Sequence, residues 1–111
     1  MLGAIAGQLE RYMDLLSARQ KLVASNIANA DTPGYQTQDI DFQAEFRQAM
    51  HGPPQVQNVA GLATKNDGNN VSIDRESRLL AENAMRFSLA SSLMRSQIQM
   101  VRSAIKEGQG S

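Results

Sequence analysis

Apolar side chains recur every seven residues in two separate stretches of the chain. Near the N-terminus they are Leu2, Leu9, Leu16 and Val23, closing on the small Ala30; near the C-terminus they are Ile73, Leu80, Phe87, Met94 and Val101. Ile5 and Tyr12 widen the first stripe, after which Arg19 and Asn26 interrupt it and it drifts to Met13 and Ile27. A nearly straight helix drifts in this way when read against a heptad. Ala84, Ile98 and Ile105 flank the second stripe. The spacing predicts one helix within residues 1–31, ordered from roughly residue 5, and another within 71–111, with 32–70 between them. Gly3 and Gly7 each cost the first helix about 1 kcal/mol relative to alanine, so its start is expected to fray.

Two amphipathic helices of this length pair antiparallel in coiled-coil fashion. The expected fold is therefore mainly α: a hairpin of two long helices around an irregular or extended middle segment and a flexible loop, all one structural unit. Its seam is expected from Leu9, Leu16 and Val23 on one helix and Leu80, Phe87, Met94 and Val101 on the other. A lone hairpin buries one stripe per helix. Leu15, Leu22, Leu79, Leu93 and Met100 lie off that stripe and need a further partner, which points to oligomerisation.

The run Ser25-Asn26-Ile27-Ala28-Asn29-Ala30-Asp31-Thr32-Pro33-Gly34-Tyr35 joins the first helix to a turn without a spacer. The residue before a proline is pushed out of the α region, so Thr32 is expected to end the helix. Pro33 presets a turn, and Gly34 supplies the positive φ that a type II turn needs. Gln36–Asp41 reads as extended, and Asp41–Met50 as a short helix with Phe42, Phe46 and Ala49 at helical spacing. Residues 51–70 are rich in Gly, Pro, Asn and Gln without periodicity, which reads as a flexible loop. Asp74 is expected to cap the second helix, and Gly108 and Gly110 to close it. Acidic residues lie toward the start of that helix and Arg95, Arg102 and Lys106 toward its end, an order that suits its dipole.

Composition narrows the function by exclusion. The 111 residues carry a formal net charge of zero and no cysteine, so no basic face for nucleic acid and no thiol or disulfide chemistry are on offer. No stretch approaches a membrane span, and the N-terminus does not resemble a cleaved secretory signal. The sole histidine, His51, has no nominated partner and reads as solvent-exposed. Asp31, Asp39 and Asp41 match no cation-binding loop and read as a turn cap and solvated charges. Asn66-Asp67-Gly68-Asn69-Asn70 is a tight-turn sequence without the features of a phosphate loop. No enzyme, cofactor, metal site, nucleic acid or small-molecule substrate is expected. Asn26 and Asn29, poor helix formers three residues apart, leave two readings open: caps of the helix end, or amides fixed on a neighbouring backbone or the partner helix.

Ser25 through Gln36 resembles the N-terminal signature shared by the axial proteins of the bacterial flagellum. Leu15–Gln20, Gln38–Phe42, Asn70–Glu76 and Ala81-Glu82-Asn83 narrow the resemblance to the proximal rod proteins of the basal body, over roughly residues 9–42 and 69–106. It marks Ser25, Asn26, Ile27, Ala28, Asn29, Asp31, Thr32, Pro33, Gly34 and Tyr35 as signature residues, and Phe42, Asp74 and Asn83 as expected assembly anchors. It implies a non-catalytic structural subunit of the bacterial flagellum, needed for motility and built by helical assembly into the periplasmic rod. Such a subunit leaves the cell uncleaved by flagellar type III export, and termini of this kind tend to order on assembly. The implied partners are copies of itself, other rod proteins, and membrane-ring, rod-adaptor and export-gate proteins. The alternatives are another rod protein of the same family, or a cytosolic coiled-coil adaptor or export chaperone. The chain departs from the pattern in its short middle, which leaves no room for a separate outer domain, and in Phe87, where a tyrosine is usual.

Overall fold

Two long helices and a short two-stranded sheet order the chain. The computed structural model describes residues 2–48 and 52–110; Ala49, Met50 and His51, read above as helix end and loop start, lie outside the described residues. In order, the elements are α1 (Leu2–Ala28), β1 (Gln38–Ile40), α2 (Phe42–Arg47), β2 (Val56–Asn58) and α3 (Ile73–Gly110). The molecule measures 72 × 24 × 17 Å. Its length follows from α3, whose 38 residues extend for about 57 Å at a helical rise of about 1.5 Å each.

α1 reaches back to Leu2 and stops at Ala28, earlier than the residue before Pro33. The cause is a tightening of the chain: Ala30 N–H donates to Ile27 O at 3.2 Å and Thr32 N–H to Asn29 O at 3.1 Å, each a three-residue step. At the start of α3, Ser72 takes the capping place expected of Asp74. The Ser72 hydroxyl accepts from Arg75 N–H at 3.2 Å, while Asp74 stands exposed in the first turn. α3 also runs through Gly108, and its described extent ends at Gly110. A glycine lowers helix propensity by about 1 kcal/mol and does not by itself end a helix.

α1 and α3 run antiparallel, with Gln20 opposite Asn83, joined by a 3.2 Å hydrogen bond. On α1, Leu16 and Val23 are buried and Leu9 half-buried. On α3 the buried row is not the apolar one. Glu76, Asn83 and Ala90 are buried and Gln97 is half-buried, whereas Leu80, Phe87 and Val101 are about 40% exposed and only Met94 of the expected line is half-buried. The apolar row therefore lies at the margin of the contact, and small and polar side chains occupy its centre. Leu15, off the expected stripe, is fully buried within the chain, while Leu93 and Met100 are not.

The segment read as a flexible loop contains β2, which pairs antiparallel with β1 in the register Gln38↔Asn58, Asp39↔Gln57, Ile40↔Val56. Isolated strands of three residues carry no periodic signal, so pairing across the loop was not legible. α2 is capped by Asp41, whose carboxylate accepts from Ala44 N–H at 3.2 Å. Its Phe42 and Phe46 meet Tyr12 of α1 edge-on, with ring centroids 5.2 and 5.5 Å apart.

All residues from 98 to 109 are exposed. Local stability follows buried contacts, so the amides of residues 103–109 should exchange with solvent at least about 100-fold faster than those of 15–23. Hydrogen exchange of the dilute subunit, read residue by residue, checks this; equal protection along α3 would refute it.

Candidate functional site at the end of the first helix

The residues of the helix-to-turn run converge on one buried side chain. Asn26, poor in helix propensity, is fully buried. Its Nδ2 donates to Gln38 O at 2.9 Å and to Glu76 Oε1, and its Oδ1 accepts from Gln38 N–H at 3.1 Å and from the Tyr35 hydroxyl at 3.0 Å. Two donors and two lone pairs are all used. One amide thus joins α1, the start of β1 and α3. Asn29 has the other role: its Nδ2 donates back to Ser25 O at 2.9 Å and its Oδ1 accepts from Thr32 Oγ1 at 3.0 Å, a local cap.

The turn itself closes where Tyr35 N–H donates to Thr32 O at 3.2 Å, with Gly34 at φ 75°. Ser25 Oγ lies 3.3 Å from the Tyr35 hydroxyl. Ile27, Ala28, Asp31, Thr32 and Pro33 are exposed. The signature is therefore split: Asn26 and Tyr35 turn inward, Asn29 and Ala30 are half-buried, and the rest of the run faces solvent.

Beside Asn26 lies a four-charge cluster. Arg19 grips Asp39 through Nε at 3.0 Å and Nη2 at 2.9 Å, and Arg75 Nη2 donates to the same carboxylate at 2.6 Å. Arg75 Nη1 donates to Glu76 Oε2 at 2.6 Å. Two cations and two anions balance, as burial of charge requires. Burial pushes the Asp39 carboxyl up, but hydrogen bonds from Arg19, the Ile40 amide and Arg75, with the Arg19 charge, outweigh it and hold it below 3.8. Burial likewise works against the Arg75 cation, and the Glu76 and Asp39 carboxylates overcome it and raise its pKa.

Arg19, Asp39, Arg75 and Glu76 were not singled out as a site from sequence, because their partners lie 20 to 36 residues apart or across the hairpin. The polar row Glu76–Asn83–Gln97 at heptad spacing was the available signal. Of the expected anchors, Phe42 packs on Tyr12 of its own chain, Asn83 bonds Gln20, and Asp74 remains exposed. Among the described residues no His, Cys, Asp or Glu group is arranged to hold a metal ion.

Asn26→Leu keeps the branching of the side chain, though it is larger, and strands Glu76, Gln38 and the Tyr35 hydroxyl. It should lower stability by about 3 kcal/mol, read from the urea midpoint of the helical circular dichroism signal. For Asp39 the folded pKa lies below the ordinary value of 3.8, so its stabilisation is present above that pH and is lost as pH falls through the folded value. Asp39→Asn should therefore cost about 3 kcal/mol at neutral pH, with the gap from wild type narrowing steadily below about pH 4. A gap independent of pH would refute this.

The family described as "Flagella basal body rod protein" matches residues 13–36, which include Arg19, Asn26 and the turn. Over most of its length the chain is similar to the flagellar basal body rod protein FlgB of Escherichia coli (strain K12), at 30% identity over 89% of this chain and 91% of that protein. The FlgB proteins of Borrelia hermsii (32% identity; 86% and 91% covered) and Yersinia enterocolitica (29%; 96% and 96%) are similar to it as well. The chain belongs to the FlgB family of flagellar basal body rod proteins.

Proposed function

We propose that the chain is a structural subunit of the proximal rod, linking the membrane ring and export gate to the distal rod and transmitting torque. The observation that carries this reading is the open apolar face of α3. Met85 is 72% exposed, Leu89 64%, Met100 55% and Leu93 47%, all on one side of the helix. Side chains of this kind in such number mark a surface that another chain covers. Head-to-tail contacts between copies build open helical arrays, and an elongated hairpin with one face uncovered suits such an array.

In this reading the hairpin seam holds each subunit, and α3 holds its neighbours. The neighbours are copies of the chain, other rod proteins, and ring, rod-adaptor and export-gate proteins. The subunit reaches the periplasmic rod uncleaved through flagellar type III export. It performs no catalysis and takes no cofactor; its work is carried by many packed interfaces.

Met85→Glu with Leu89→Glu removes apolar side chains that the isolated chain leaves mostly exposed. The thermal midpoint of the subunit should shift by less than about 3 °C, while the amount recovered in purified basal bodies should fall at least about tenfold. Wild-type protein found only in the cytosol and absent from basal bodies would favour an adaptor or chaperone and overturn the rod reading.

A further inference from the structure

We infer that the Lys65–Asn70 turn is a strap that sets the geometry of the signature turn, with Asn69 as its positioning residue; the consequence for assembly rests on the rod reading. The carbonyls of the turn that follows α1 belong to no helix or strand ladder and need other donors. Here the donors come from far along the chain. Asn69 is fully buried, and its Nδ2 donates to both Asn29 O and Thr32 O at 2.8 Å. Lys65 Nζ donates to Ala30 O at 3.0 Å. In return Gly34 N–H donates to Asp67 O at 2.9 Å, and Asn70 N–H donates to Tyr35 O at 3.2 Å.

The strap is itself braced. Lys65 N–H donates to Asn69 O at 2.8 Å, Gly68 N–H to Lys65 O at 2.9 Å, and Val71 N–H to Asn69 Oδ1 at 2.9 Å. Asn70 extends the contact to the residue before β1, accepting from Thr37 N–H at 2.6 Å and from Thr37 Oγ1 at 3.2 Å. Gly68 packs on the signature turn, an added Cβ lying in ordinary contact 3.4 Å from Gly34 Cα, and its φ of 87° is what a side chain would strain. The turn of Pro33 and Gly34 has one local backbone hydrogen bond, from Tyr35 N–H to Thr32 O. The strap supplies the others, so it decides where the chain points after α1. That direction places Gln38 on Asn26 and leaves Asp31, Thr32 and Pro33 facing outward for neighbours.

Asn69→Asp keeps the shape and the acceptor for Val71 but turns the two donor bonds into repulsion. In the full-length subunit the Gly34 and Asn70 amides should exchange at least about tenfold faster, with Leu16 and Val23 changed less than about threefold. Recovery in basal bodies should also fall about tenfold, while Leu15→Val, a buried change remote from the strap that lowers the thermal midpoint comparably, should still be incorporated. Unchanged Gly34 exchange overturns the strap, and so does equal loss of incorporation by Leu15→Val. If Asn69→Asp does not fold, Gly68→Ala is read by the same two measurements with the same expectation. A wild-type chain absent from basal bodies, with Gly34 exchange still accelerated in the variant, would sink the rod reading alone and support the strap.

Discussion

The buried amide of Asn26 is the constraint around which the rest of the structure is arranged. An unpaired amide at that depth would cost several kcal/mol, so its four partners must be in place together. Two of them are the backbone of Gln38, one is the Tyr35 hydroxyl and one is the Glu76 carboxylate. Satisfying them fixes where β1 starts and which turn of α3 faces the end of α1. Glu76 is a charge in an interior and needs Arg75, and Arg75 and Arg19 in turn share Asp39. A network of this kind stands or fails as a unit, because each partial break leaves a buried group uncompensated.

The hairpin is consequently uneven along its length. At one end, polar groups with directional bonds hold α1, β1, the 65–70 turn and the start of α3. Toward the other end the contact thins to small and half-buried side chains, Ala90 and Gln97 among them, and then α3 continues with every residue from 98 to 109 exposed. Directional bonding specifies one geometry, whereas exposed Leu and Met side chains accept a partner by area and shape. A rod subunit needs both: a part whose shape is set beforehand and a part that adapts to neighbours.

Particular residues show what could be read in advance. Leu9, Leu16 and Val23 lie on the α3 side of α1, because a heptad stripe needs only local periodicity to be recognised. The positive φ of Gly34 follows from the turn chemistry of Pro33-Gly34 alone. Leu80, Phe87 and Val101 obey the same periodicity yet lie at the edge of the seam, because Asn26 and Gln20 draw Glu76 and Asn83 to its centre. Periodicity says that a helix has a face; it does not say which face wins when buried polar groups compete. Ser72 displaced Asp74 as the cap for a similarly small reason, since either side chain can accept from a first-turn amide and the approach of Asn70 and Val71 fixes where the helix begins.

Local pattern was enough to set the two long helices, their antiparallel pairing and the turn after the first of them. These follow from spacing, from the restricted backbone of Pro and Gly, and from which residue types are present. Only the folded chain shows that residues 56–58 form a strand, that Asn69 and Lys65 hold the turn after α1, and that Arg19, Asp39, Arg75 and Glu76 form one cluster. Each of those depends on hydrogen bonds between groups far apart in the chain, where the strength of a contact is set by three-dimensional approach and burial and leaves no local pattern to read.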